Sequence, residues 1–174
     1  MICVLNQKEF SSSVAIDRVS AHFSASHGLI TDHFEEGLHG HNYQVELEIE
    51  GTTENDNVLI DFIFLENLLH QALSTWDHYV LLPLKNKKMK IRENEDNIDF
   101  EYGSRFYSIP KTEIIVLDCR NVTTETLAQL LAEKMTGLLK QESFWKRIQS
   151  IRVTIWETSA YRASYRIRTN SLRK

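Results

Sequence analysis

An α+β fold with an antiparallel sheet is the class this sequence predicts, and three observations carry the prediction. Residues 43–49, Tyr-Gln-Val-Glu-Leu-Glu-Ile, alternate apolar and polar, as a strand with one buried and one wet face does. Two stretches, one from Asp61 and one over 123–139, instead repeat apolar residues every three or four positions, the period of an amphipathic helix. Strands and helices are grouped in the order two strands, helix, hairpin insertion, helix, two strands, without the strand-helix-strand alternation of a parallel sheet.

The elements follow in chain order. In "VSAHFSASH", Val19, Ala21, Phe23, Ala25 and His27 share one parity, and Ser20, His22, Ser24 and Ser26 take the other. Val14 and Ile16 lie on the second parity, so a bulge or a switch of burial is expected along that strand. In the next strand, His39, His41, Tyr43, Val45, Leu47 and Ile49 share the core-facing parity. Phe62, Leu65, Leu69, Ala72 and Trp76 mark the first helix, ending near "TWDHY". Residues 83–118 are polar and charged, with "RENED" as a turn and "IDFEYGSRFYSI" as a hairpin, an insertion within one domain spanning 1–174. Leu127, Leu131, Met135 and Leu138 mark the second helix, with Thr123 or Thr124 as N-cap and Glu125 in the first turn. "SIRVTIWE" and "YRASYRIR" read as two closing strands, with Glu157 on the parity of Ile151, Val153 and Ile155.

Composition narrows the function classes. The chain has 174 residues, 42% of them hydrophobic and 25% charged, with a net charge of −4. That is an ordinary globular composition without the basic excess that would attract nucleic acid or acidic membranes. No apolar run reaches the roughly 18 residues of a membrane span, and the first residues lack the pattern of a signal peptide, so a cytoplasmic protein is expected. Cys3 and Cys119 are far apart and form no C-x-x-C pair, which leaves two ordinary thiols.

Histidine placement is the main chemical signal. His27, His39 and His41 all fall on inward strand positions. Three such ligands suit catalytic Zn²⁺, which keeps a fourth position open for water or substrate. Asp77 beside His78 at a helix end could relay protons, with the carboxylate fixing the imidazole tautomer. Each feature alone has a plainer reading. The histidines could bond to backbone, His78 could simply favour the helix dipole, Glu157 could face solvent, and Thr123 and Thr124 could be caps only. His33 and His70 are assigned to the surface.

Together, "FSASH" at 23–27, "LHGHNY" at 38–43, "VLIDF" at 58–62, "DH" at 77–78, "NVTTE" at 121–125 and Glu157 resemble, in that order, the motifs of the 6-pyruvoyltetrahydropterin and 6-carboxytetrahydropterin synthase family. The resemblance implies a tunnelling fold: an antiparallel sheet with two helices on one face, whose subunits join into an oligomeric barrel, commonly a homohexamer of two trimers. It implies His27, His39 and His41 as zinc ligands, with His22 as the competing first ligand. It also implies that Glu157 holds the pterin ring and that Thr123 and Thr124 line its pocket. Two departures stand out. Gly28 follows the first zinc histidine where an arginine is frequent, and Glu35 takes the position of the usual catalytic cysteine. A subgroup in malaria parasites and several prokaryotes lacks the cysteine and carries E-x-x-H-G-H, matched here by Glu36-Gly37-Leu38-His39-Gly40-His41. That subgroup makes 6-hydroxymethyl-7,8-dihydropterin.

The reading is a zinc-dependent lyase on 7,8-dihydroneopterin triphosphate, with Glu36 as general base, Glu35 as the alternative base, and Asp77 and His78 returning the proton. Zn²⁺ is the expected cofactor, acidifying a substrate hydroxyl. The competing readings are a 6-carboxy- or 6-pyruvoyltetrahydropterin synthase on the same substrate, and a non-catalytic zinc- and pterin-binding assembly protein.

Overall fold

The structure, a computed structural model, describes residues 11–53 and 57–172. Cys3 therefore lies outside the described residues, while Cys119 is a buried free thiol, pushed up to about 11 by burial and by Asp118 beside it.

The first expected strand is two: β1, Ser11–Ile16, and β2, His22–His27. Both run antiparallel along the same edge of the long β3, His39–Thr52. Ile16 faces Leu47 and His22 faces Gln44, so residues 17–21 oppose only residues 45 and 46. This offset of three residues is odd, and it flips the side-chain parity. Val14 and Ile16 thereby reach the same face as Phe23, Ala25 and His27, which realises the expected switch.

The helix α1, Phe62–Leu73, starts at Asp61, whose carboxylate accepts from the Phe64 N–H at 2.7 Å. Its buried stripe is Leu65, Leu69, Ala72 and Leu73. Phe62, expected on that stripe, is the first residue of the helix and is 59% exposed; the buried stripe begins at Leu65. Trp76 is buried, but from the turn after the helix. The second helix α2, Thr124–Leu139, is capped by Thr123, with Leu127, Leu131 and Met135 buried beside Ala128 and Ala132. Both helices join one apolar cluster with the inward residues of β3 and of β9, Ile148–Trp156. Among the described residues no helix is long and apolar enough to cross a membrane.

The sheet is not purely antiparallel. β4, Tyr79–Pro83, pairs parallel with β2, and β8, Ile114–Leu117, pairs parallel with β4. The strand order is β10-β9-β3-β2-β4-β8, with β10, Arg162–Arg168, at one edge. The segments "YVLLP" and "IIVL" are short continuous apolar runs without alternation, as buried parallel strands tend to be, so the expected insertion at 83–118 in fact begins on the last residue of β4 and contains the whole of β8. Between them, β5, Lys90–Glu93, β6, Asn97–Tyr102, and β7, Arg105–Pro110, form a separate three-stranded sheet. The expected hairpin is β6–β7, turned by Gly103 at φ +55°, a conformation glycine supplies cheaply. Phe100 and Tyr102 of this small sheet form a second apolar cluster with Ile30, Leu82, Met89 and Ile114.

Candidate metal and pterin site

The end of β2 and the start of β3 set the site. His27 lies opposite His39 and Ala25 opposite His41, so register alone puts three imidazoles on one face. One ligand-capable atom from each of the three lies within 4.8 Å of the other two, and the group could hold a metal ion. Two tautomers are fixed by carbonyl acceptors. His27 Nδ1 donates to the Val122 carbonyl at 2.7 Å, and His39 Nδ1 donates to the Gly37 carbonyl at 2.9 Å. Each therefore keeps its Nε2 lone pair for a ligand, the usual arrangement behind a metal-binding histidine.

Burial, followed by the neighbouring His39, lowers the His27 pKa to about 4, which keeps the ring neutral. The Nε2 atoms of His27 and His41 are buried without a hydrogen-bond partner. Such orphaned atoms are uncommon in a folded protein, and three imidazoles gathered on one face match the donor set of zinc. His22, the competing ligand, is exposed on the opposite face of β2.

Around the triad lies a cavity of about 690 Å³ lined by Glu36, Leu29, Thr123, Thr124, Glu157 and Arg162 among others. Glu157 follows the last residue of β9 and points inward as its parity predicts, with Oε1 3.3 Å from His41 Nε2 and 3.9 Å from His27 Nε2. Thr123 Oγ1 accepts from the Thr126 N–H at 3.2 Å, so it is both cap and cavity wall, while Thr124 is buried in the first turn.

The two glutamates diverge. Ile30 and Glu35 form an isolated antiparallel bridge, so the chain is extended there and successive side chains alternate. Glu36 Oε2 stands 3.7 Å from His39 Nε2, inside the cavity. Glu35 Oε2 stands 3.5 Å from Arg105 Nη1 on the hairpin, outside it.

Asp77 and His78 are not brought into this cavity. His78 lines a second cavity with Ser24, Ser26, Gly40 and Asn42, which lie on the other strand parity from the triad, although His41 also borders it. The Asp77 carboxylate accepts from the Ser24 N–H at 2.8 Å and lies 2.9 Å from His78 Nδ1. His78 adopts φ +67°, uncommon for a side-chain-bearing residue, and its side chain is 80% exposed. His33 and His70 are on the surface as expected, with His70 Nε2 donating to the Ser20 carbonyl at 3.0 Å.

Sequence reasoning missed Arg162, which was read only as part of a strand. It lines the cavity with its guanidinium 4.4 Å from the centre of the Trp156 ring. It also missed Tyr102, Arg105 and Tyr107, because no spacing rule links residues at the tip of an insertion to a loop 65 or more positions away.

Comparison with known proteins places this geometry. A Pyrococcus abyssi (strain GE5 / Orsay) protein named for 6-carboxy-5,6,7,8-tetrahydropterin synthase is 32% identical over 120 residues, covering 69% of this chain and 68% of that one. The solved 6-pyruvoyl tetrahydropterin synthase of Plasmodium vivax superposes with a TM-score of 0.87 at 23% identity, covering 92% of this chain and 99% of the other. The Plasmodium falciparum synthase gives 0.81 at 28% identity, covering 91% and 98%. The P. vivax protein has also been solved with a glutamate termed a catalytic residue replaced by alanine. Residues 17–168, which hold the histidine triad, the cavity and both helices, match the family profile described as 6-pyruvoyl tetrahydropterin synthase, and the chain belongs to that family.

Proposed function

We propose that the chain is a zinc-dependent lyase that cleaves the side chain of 7,8-dihydroneopterin triphosphate to give 6-hydroxymethyl-7,8-dihydropterin. The observation that carries this reading is the placement of Glu36, a carboxylate beside His39 in the same cavity as Glu157. Glu157 accepts two parallel hydrogen bonds, from the 2-amino group and a ring N–H of the pterin. Thr123 and Thr124 close the cavity at the start of α2. A zinc ion held by His27, His39 and His41 would supply Lewis acidity toward a substrate hydroxyl.

Glu36 takes the proton of the 2′-hydroxyl as the bond between the first two side-chain carbons breaks; the outer two carbons leave as an aldehyde carrying the triphosphate, and the electron pair left on the ring-attached carbon takes up a proton. Asp77 and His78 supply it. Since their face of the sheet is opposite the triad within one chain, they act in a neighbouring subunit's site. A homohexamer of two trimers fits this requirement, and β10 leaves a sheet edge for a partner to cover.

The second reading, a 6-carboxytetrahydropterin synthase, draws on the archaeal relatives and uses the same pocket. Incubation with 7,8-dihydroneopterin triphosphate and mass spectrometry of the products decides between them. 6-Hydroxymethyl-7,8-dihydropterin as the main product supports the lyase, and a carboxy or pyruvoyl product overturns it. Glu36→Gln should lower the rate by about 10²–10⁴ with zinc content unchanged. A larger loss in Glu35→Gln would transfer the base to Glu35.

A further inference from the structure

The small sheet β5–β7 is not needed to complete the main core, yet the tip of its β6–β7 hairpin is fastened to the loop that carries Glu36. Tyr102 Oη donates to the Glu36 carbonyl at 3.0 Å, and the Leu38 N–H donates to Tyr107 Oη at 3.3 Å. Arg105 reaches Glu35 at 3.5 Å, on the other side of the same extended strand of chain. From below, the Glu36 N–H donates to the Leu29 carbonyl at 2.8 Å. Both backbone groups of Glu36 are thereby satisfied, and the residue is held between the hairpin and the chain that follows His27. The next carbonyl along, that of Gly37, is the one that fixes the His39 tautomer.

The hairpin's own side of this contact is rigid. Tyr102 is 2% exposed, its ring stacks on Tyr107 at 6.0 Å, and Tyr107 stacks on Phe100 at 4.9 Å. Burial, together with the hydrogen bond to Tyr107, raises the Tyr102 pKa, so its phenol stays a donor. Gly28 belongs to the same arrangement. A Cβ at that position would lie 2.6 Å from Tyr102 Oη. The absence of a side chain directly after His27 is what gives the phenol its place.

We infer that Tyr102 and Tyr107 are positioning residues, clamping the 36–38 loop so that Glu36 and His39 keep a fixed relation across the cavity. The inference rests on Glu36 being the base. A base displaced by about 1 Å can lose about 10²-fold in rate, so a clamp on its backbone bears directly on turnover.

The test uses the full chain loaded with zinc. Tyr102→Phe combined with Tyr107→Phe should lower kcat about 10- to 100-fold, leave KM within about twofold and leave zinc content unchanged. The same pair placed in Glu36→Gln should cause no further loss of the residual rate, because there is no longer a base to position. Hydrogen exchange of the Leu38 amide should rise in Tyr107→Phe whether or not the substrate is the right one. An equal fold loss in both backgrounds would reduce the tyrosines to packing, and unchanged Leu38 exchange would remove the clamp itself. If the parent protein does not turn over the triphosphate, the lyase reading falls, and the exchange measurement alone decides the clamp.

Discussion

Gly28→Ala isolates the contact between the histidine strand and the hairpin. Gly28 has no positive φ, so the backbone accepts alanine, and loss of glycine's freedom in the unfolded chain should by itself stabilise by about 0.4–1 kcal/mol. Against this, the new methyl would meet Tyr102 Oη at 2.6 Å and Cζ at 3.2 Å, where ordinary contact is about 3.5–4.0 Å. The ring cannot swing aside, being buried against Tyr107 with the Arg105 guanidinium 5.7 Å from its centre. Overpacking of this kind costs about 1–3 kcal/mol. With the ring held in place the upper part of that range, about 2–3 kcal/mol, applies, so the net loss is about 1–2.6 kcal/mol, a fall of about 2–10 °C in Tm for a chain of this size. Tyr102→Phe should cost about 1–3 kcal/mol by leaving the Glu36 carbonyl unpaired, but it removes the nearest atom of the clash. The double variant should therefore lose less than the sum of the two by about 1 kcal/mol. Calorimetry on metal-free protein reads this without interference from zinc. Additivity within about 0.5 kcal/mol, or a Gly28→Ala variant as stable as the parent, would refute the reasoning.

Other outcomes follow from the same geometry. Elemental analysis should find one zinc per subunit in the parent and in His22→Ala, but little in His27→Ala, His39→Ala or His41→Ala. Chelation of the parent should abolish turnover, and added zinc should restore it. Burial alone would raise the Asp77 carboxyl, but the Ser24 N–H, the His78 ring and the charges of His78 and His22 hold it below its ordinary 3.8. A depressed carboxyl stabilises above that value and ceases to as pH falls through the folded-state pKa, so the Tm gap between the parent and Asp77→Asn should close on acidification below about pH 4. Finally, Asp77→Asn and His39→Ala are each expected to be inactive alone. Unfolded together and reassembled, they should regain part of the activity if the site is shared between subunits, and none if it is completed within one chain.

What was legible in the sequence was whatever the period of a single element decides. Alternation put His39 and His41 on the face of Tyr43 and Val45, and the register of β2 against β3 then brought His27 opposite His39. The divergence of Glu35 and Glu36 has the same origin, since neighbours in extended chain point apart. The three-residue offset at 17–21 was visible only as a clash of parities, because what fixes its size is the partner strand. β4 and β8 were hidden because a continuous apolar run has no period to read, and their pairing is set by a neighbour far along the chain.

Asp77 and His78 mark a different limit. Their adjacency and their position after α1 were plain, but which face of the sheet they would occupy depends on the turn between Ser74 and Tyr79, where His78 takes its positive φ. The His78 N–H donates to the Ser24 carbonyl at 2.7 Å, and the Asp77 carboxylate accepts from the Ser24 N–H, so the pair is bound to the backbone of the very strand that carries His27. Strand β2 thus presents His27 to one face and fixes Asp77 and His78 on the other. A shift of this strand in register would displace both groups at once. In a shared site, each copy would then lose a metal ligand from its own cavity and a proton donor from its neighbour's. The long pairing of β2 with β3 is therefore a constraint on chemistry as much as on folding.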